Sequence, residues 1–406
     1  MTVAVSPPEP DLQPADMVDR ARALIPLLRE QQDESEQRGY YSEEIHARFL
    51  EAGFSRIVQP RRFGGYEFSW ETFFRVMVAI STGDPGVGWC LTLGSSHAAM
   101  VASHFPIEAQ AEMFGPDGDF RCPHPVAPTG EAFPVDGGYR LSGRWPYASG
   151  VPYATWVFAP ALIAGGGETP WVFAVPRSDI TMLDDWGLGG NVIGMNSSGS
   201  NSFVVEDAFV PSPFAVEFNW FDPPHPSVGV REHGNPMYIG RVSGPYHASL
   251  VGTIVGAARA ALDEFSGPIG ERKTTFQPQV PRREFHEDQR VYGLALAMTD
   301  AAETIVYAWA REYMETATRA VETGSPIPLT QDARWWAMLQ QAGGLAAGAV
   351  ETLMHRSPPS TSGTGQRMGR YFRDATTYRQ HLSAQQSDFA VRNTQLYFEL
   401  SQRWLF

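Results

Sequence analysis

The 406-residue chain carries 31 basic against 45 acidic residues, a net charge of −14, and is 43% hydrophobic. That balance excludes a duplex-binding surface, and the apolar content excludes a disordered chain. No run of 18 apolar residues occurs, since Ser249–Leu262 is short and broken by Arg259, so no membrane span is expected. The opening MTVAVSPPEPDLQPA lacks the basic and apolar stretches of a secretory signal, and the two cysteines, Cys90 and Cys122, make neither a disulfide framework nor a zinc site. A cytoplasmic globular protein is expected. Its eleven tryptophans suit an ordinary core or a site for a flat ligand.

Residues 15–120 read as helical. Met17, Ala21, Leu24 and Leu28 form an apolar stripe, which Pro26 can kink. Ser42 caps a helix that ends at Gly53, Ser69 caps the next, and a further helix after Asp84-Pro85 is expected to include Trp89 and His97. Residues 121–228 change period. Phe133-Pro-Val, Asp136-Gly137-Gly138 and Tyr139-Arg-Leu-Ser read as strand, tight turn, strand. Ala154–Ile163, Trp171–Pro176 and Ser202–Pro211 are further strand signals, so a small antiparallel barrel or sandwich is expected. Residues 229–406 return to helices. Runs at 245–266, 294–308, 329–356 and 370–403 give the count for a four-helix bundle, with Ser357–Gly365 breaking the last two apart.

Familiar nucleotide and nucleophile motifs are missing. There is no phosphate loop. The glycines of Ser362-Gly-Thr-Gly-Gln-Arg-Met-Gly369 miss the GxGxxG spacing and follow a Pro-rich loop instead of a strand. No HExxH or GxSxG elbow occurs, and the scattered histidines, including His97 and His104, lack clustered partners for a metal.

The order of helices, small β domain and four-helix bundle, with mainly α content, resembles the acyl-CoA dehydrogenase fold. Local matches run through the chain: Phe63-Gly64-Gly65 after Pro60, Gly138-Tyr-Arg-Leu-Ser-Gly-Arg-Trp-Pro-Tyr-Ala-Ser-Gly150, Met195–Pro211, Arg272 with Phe276, and Arg373-Asp374. A dehydrogenase of this family needs a carboxylate to take the α-proton of an acyl thioester. Eight residues before Arg373, where the common subgroup has its glutamate, stands Gly365, and residues 243–258, where a minority subgroup has it, hold no Asp or Glu. The Trp145-Pro-Tyr-Ala-Ser-Gly150 segment, with His381 seven residues after Asp374, instead resembles the flavin-dependent monooxygenases of this fold, the oxygenase components acting on p-hydroxyphenylacetate, steroid phenols and dibenzothiophene.

That resemblance implies a two-component enzyme. Reduced flavin arrives from a separate NAD(P)H-dependent reductase, reacts with O2 to a C4a-hydroperoxide, and one oxygen passes to an aromatic or heteroaromatic substrate, with no metal. FMN is preferred to FAD, because Tyr378-Arg-Gln-His381 departs from the dehydrogenases' FAD-holding pattern. The resemblance puts the Ser149 hydroxyl near flavin N5, His381 and His97 at the chemistry, Trp145 and Ala148 beside the ring, and Arg373 in the cofactor site. Arg272 and Phe276 would reach a neighbouring subunit's flavin, implying a homotetramer, or failing that a dimer. His124 and Tyr147 would border the substrate. Each residue has a plainer reading: Ser149 a turn hydroxyl, His97 a core histidine, His381 an exposed helical one, Trp145 packing, Arg272 a surface charge, Tyr147 a core aromatic. Two alternatives stay open, a dehydrogenase-like flavin enzyme with a displaced base and a silent ligand-binding scaffold.

Overall fold

The structure, a computed structural model, describes residues 5–190, 192–218 and 225–400. Eight helices come first: α1 (Pro14–Ala23), α2 (Ile25–Glu30), α3 (Gln32–Arg38), α4 (Glu43–Ala52), α5 (Trp70–Gly83), α6 (Pro85–Ser95), α7 (His97–His104) and α8 (Ile107–Phe114). Local signals set their ends. The Ser42 and Ser69 side chains accept the Ile45 and Thr72 amides as N-caps, and Gly53 ends α4 in the left-handed region at φ 76°. The Met17–Leu28 stripe breaks at Leu24, with Pro26 in the first turn of α2. The helix expected after Pro85 is two, parted at Ser96, so Trp89 and His97 lie on different helices.

Seven strands follow: β1 (Gly130–Val135), β2 (Gly138–Trp145), β3 (Trp156–Ile163), β4 (Trp171–Pro176), β5 (Thr181–Met182), β6 (Phe203–Pro211) and β7 (Ala215–Glu217). They make one sheet in the order β5-β6-β2-β1-β3-β4-β7. The Asp136-Gly137 turn, with Gly137 at φ 78°, pairs Val135 with Gly138. One pair departs from the expected antiparallel order: β1 and β3 run parallel. The hairpin returns β2 to the end where β1 began, and the 146–155 loop then delivers β3 to the other edge of β1, pointing the same way. That loop lines the cavity described below.

Six helices complete the described chain: α9 (Val228–His233), α10 (Ser243–Glu264), α11 (His286–Thr323), α12 (Leu329–Arg356), α13 (Arg367–Gln380) and α14 (Gln386–Tyr397). Helix α10 is the axis of the molecule, buried almost throughout and packed on α5, α6, α11, α12 and α13. A Cβ at Gly256 would lie 2.3 Å from the Ser81 Cβ, so only glycine lets α10 approach α5 this closely. The single helix expected over 370–403 is two, α13 and α14, separated at His381–Gln385, and residues 401–403 lie outside the described chain. No Gly or Pro marks that break. Instead the His381 backbone turns extended (ψ 146°) and its ring accepts the Ser383 amide, the cap of a new short turn.

Candidate active site

A cavity of about 490 Å³, within the range of ordinary ligand pockets, lies where the three regions meet. Its walls are α6 (Trp89, Leu93), the loop after β2 (Pro146, Tyr147, Ser149), the loop before β6 (Met195, Ser198, Ser200), Tyr246 of α10, and the end of α13 with His381. His124, Pro125 and Trp186 close the remaining sides. Among the described residues no Asp or Glu is in this wall.

Ser149 is buried, with two of its three hydrogen-bonding positions taken. The Trp89 indole N–H donates to its Oγ at 3.1 Å, and the Ser200 Oγ lies 2.6 Å away. The Ser198 Oγ lies 2.6 Å beyond that. His381 faces the same space, edge-on to the Trp89 ring at 5.3 Å between centroids. Its Nδ1 accepts the Ser383 N–H at 3.1 Å, so in the neutral ring the hydrogen sits on Nε2. The Tyr246 hydroxyl is 3.4 Å from that Nε2. Burial pushes the His381 pKa down to about 4, so the ring is neutral near pH 7 and presents an N–H donor to the cavity. Behind it the Ser383 hydroxyl bonds the His247 Nδ1 at 2.6 Å, which steadies the turn. His381 is thus not the exposed helical histidine of the plainer reading; it stands just past the end of α13.

The loop at 195–200 has a second face against charge. Asp374 accepts the Met195 N–H at 2.6 Å, and Asp84 accepts the Ser197 hydroxyl at 2.7 Å. Arg370, 3% exposed, bonds Glu36 at 3.0 Å, Gln32 at 2.8 Å and Asp33. Burial, then the neighbouring Asp84 charge, pushes the Asp374 carboxyl up to about 7. Burial likewise raises Asp84, against the opposing pull of Arg370.

Two family models match this chain: that of the acyl-CoA dehydrogenase N-terminal domain over residues 17–117 and that of the C-terminal domain over residues 248–386. A "pigment production hydroxylase" of Rhodococcus sp. (strain ATCC 21145) is 31% identical over 74% of this chain and 76% of its own. The oxygenase subunit HsaA of a flavin-dependent monooxygenase from Rhodococcus jostii (strain RHA1) is 28% identical over 90% and 93%. The crystal structure of 3-HSA hydroxylase from Rhodococcus sp. RHA1 superposes with a TM-score of 0.84 at 25% identity, covering 97% of this chain and 99% of that one. The chain belongs to the acyl-CoA dehydrogenase family, in its flavin-dependent monooxygenase branch. The missing base at Gly365 and the segment ending at Gly150 point to that branch, and a wall with no Asp or Glu among the described residues agrees with it.

For a monooxygenase of this branch the sequence-derived site divides in two. Ser149, His381, His124 and Tyr147 come together on the cavity. Tyr147 is 70% exposed at φ 60°, its ring edge against Trp186, which corrects its plain reading as a core aromatic. His97 does not reach the wall. Its Nδ1 bonds the Cys122 carbonyl at 2.7 Å, its ring meets His124 edge-on at 5.4 Å, and burial lowers its pKa to about 4. Trp145 is wholly buried, stacked on Phe203 at 5.1 Å with its N–H on the Pro160 carbonyl at 2.8 Å. The sheet interior, not the cavity, holds it, because Gly130 and Gly143 leave its ring a slot there. Ala148 is also buried, its amide taken by the Asn201 carbonyl. Arg373 turns to Glu36 and the Ile193 carbonyl. Arg272 bonds Ser360 at the surface, and Phe276 is 85% exposed. Trp89, Tyr246, Ser198, Ser200 and Thr377 are not picked out as site residues by the sequence, although Ser198 and Ser200 lie in the matched Met195–Pro211 segment and α6 is rich in small residues around Trp89.

Proposed function

We propose that this chain is the oxygenase component that takes reduced flavin from a separate NAD(P)H-dependent reductase and, with O2, oxygenates an aromatic or heteroaromatic small molecule. The observation that carries the chemistry is a cavity walled by indoles, hydroxyls and a neutral imidazole, with no carboxylate among the described residues. A dehydrogenase's α-proton step finds no base among the described lining residues. The residues fit a flat, hydrogen-bonding cofactor: Trp89 and Trp186 supply aromatic surface, and the buried hydroxyls of Ser149, Ser198 and Ser200 supply the polar contacts.

Reduced flavin, when bound, supplies the electrons that activate O2. The protein's own part is separable. Ser149 offers one hydroxyl position to the ring, with the Trp89 indole fixing its orientation. His381 offers Nε2–H to an oxygen atom in the cavity, held in that tautomer by the Ser383 amide; with its other nitrogen occupied, it is read as a donor and not as the base for a phenol. Burial of these groups excludes water. His124 and Tyr147 border the substrate. We assign FMN over FAD, since Tyr378 turns its hydroxyl to Gly343 and Arg379 reaches Glu351, so neither is extended toward an adenine half. Exposed Arg272 and Phe276 are assigned to a neighbouring subunit's cofactor in a cytoplasmic homotetramer.

The test is to load the protein anaerobically with reduced FMN and add O2 with a set of phenols and indoles. Oxygenated product, with H2O2 falling as product rises, is the expected outcome. Reduction of bound oxidised flavin by an acyl-CoA thioester would sink the assignment in favour of the dehydrogenase reading.

A further inference from the structure

The hydroxyls of Ser149, Ser200 and Ser198 stand in a row at 2.6 Å and 2.6 Å, all three on the cavity wall, each no more than 6% exposed. A serine hydroxyl has one hydrogen and two acceptor positions. Trp89 is a donor only, so it takes one acceptor position of Ser149 permanently. The row then has two states. With hydrogens running from Ser198 through Ser200 to Ser149, both acceptor positions of Ser149 are filled and its own hydrogen points into the cavity. With the row reversed, Ser149 donates to Ser200, Ser200 to Ser198, and Ser149 turns an empty acceptor position to the cavity while the Ser198 hydrogen emerges there instead. Neither state moves a heavy atom.

We propose that this row is a reversible hydroxyl chain that reads whether the cofactor atom facing Ser149 carries a hydrogen, with Ser200 as its positioning residue. The proposal rests on the flavin reading above. Reduction of an isoalloxazine converts ring nitrogens that accept hydrogen bonds into N–H donors. A lone serine in that place would meet the donor with its own hydrogen left without a partner, which is costly in a buried site. Ser200 removes that cost by taking the hydrogen, and Ser198 does the same for Ser200. The chain therefore keeps Ser149 paired in both redox states, handing the spare hydrogen to Ser198 when the cofactor is reduced.

The test is anaerobic and aerobic titration of the full-length protein with reduced and oxidised FMN, for the wild type, Ser200→Ala, Ser198→Ala and the conservative Ser200→Thr. In wild type both forms bind. Ser200→Ala weakens reduced FMN by about three- to ten-fold, the scale of one buried hydrogen bond, and leaves oxidised FMN nearly unchanged. Ser198→Ala shifts the ratio the same way, and Ser200→Thr restores it. A merely structural serine weakens both forms together, and equal weakening in Ser200→Ala and Ser198→Ala overturns the chain. Unchanged discrimination in both variants overturns it too, while flavin binding by the wild type keeps the flavin reading intact. A wild type that binds neither form overturns the flavin reading, and the chain with it.

Discussion

The loop at 195–200 separates two polar regions that differ in almost every physical respect. On one side Asp84, Glu36, Asp374 and Arg370 make a charged cluster with no opening into the cavity. On the other, Ser149, Ser198, Ser200 and His381 make a neutral set facing the cavity. The charged side joins α3, the start of α6 and α13 to the loop, so it fixes where the neutral side stands. Ion pairs suit the first task because removing a partner is costly. Hydroxyls and a neutral imidazole suit the second because they reorient without desolvating a charge. The difference teaches that the strongest interactions near a site need not be the ones that do its chemistry.

Cutting the charged side should have the largest effect. Arg370→Ala leaves the raised carboxyls of Asp84 and Asp374 buried without their nearest cation and leaves Glu36 paired with Arg373. We expect a loss of about 3–5 kcal/mol in stability, read from urea denaturation, with the cavity deformed as a consequence. A loss below about 1 kcal/mol would show that the loop is held by its apolar contacts instead, and the contrast between the two sides would collapse.

The neutral side should respond in the opposite manner. His381→Ala is expected to keep the fold and most flavin affinity while product yield per reduced flavin falls roughly ten- to hundred-fold, the cost of one hydrogen bond to developing charge. His97→Asn is the matched control, since that histidine bonds the Cys122 carbonyl and does not line the cavity. Coupling close to wild type in the control, with a loss in His381→Ala, separates a buried histidine at the chemistry from one in the core. Equal losses in both would end the distinction.

These contrasts mark what was legible in the sequence. Signals that act within a few residues were read correctly: the Ser42 and Ser69 caps, the Gly53 stop, the Asp136-Gly137 turn and the missing base at Gly365. Features made by distant partners were not. The row of serines joins positions 51 residues apart, and Trp89 reaches Ser149 over 60. The break after α13 carries no Gly or Pro, only a histidine ring capping a turn, so His381 read as mid-helix. Trp145 shared a motif with Ser149, yet strand alternation sends its ring into the sheet while Ser149 lies beyond the strand end on the cavity. A motif places residues near a site; the strand period decides which of them face it.

A smaller effect tests the charged side by pH. The Asp374 carboxyl is raised to about 7 from an ordinary 3.8, so the folded protein holds a proton that the unfolded chain releases. Its contribution to stability is therefore complete below the unfolded value and is lost as pH rises from about 4 through about 7. Buried His381, lowered to about 4, works with the reverse sign: its contribution is complete above 6.5 and is lost as pH falls through about 4. The difference between wild type and Asp374→Asn isolates the first term. Relative to the variant, the wild type should lose stability between pH 5 and pH 8 in urea midpoints. A difference that does not change with pH would mean that Asp374 stays ionised in the folded protein, its charge held by the Met195 amide and the nearby Arg370.

The smallest expected effect belongs to Thr377, and it asks whether the neutral side extends to the substrate. In a helix a threonine hydroxyl commonly bonds the carbonyl four residues back, and Thr376 does so with Phe372 at 2.8 Å. Its neighbour Thr377 does not. Its Oγ1 is buried without a partner among the described residues, and the residue lines the cavity four positions before His381. A buried hydroxyl left alone costs free energy, so a hydrogen-bonding group on the substrate gives this one a purpose. Thr377→Val keeps the shape and deletes the hydroxyl. For a phenolic substrate the dissociation constant should rise about two- to ten-fold, with affinity for reduced FMN unchanged and stability equal to or slightly above wild type. For a substrate analogue lacking the hydroxyl the same variant should bind as well as the wild type or better. That crossing of two ligands against two side chains distinguishes recognition from packing, because a packing defect would weaken both analogues alike.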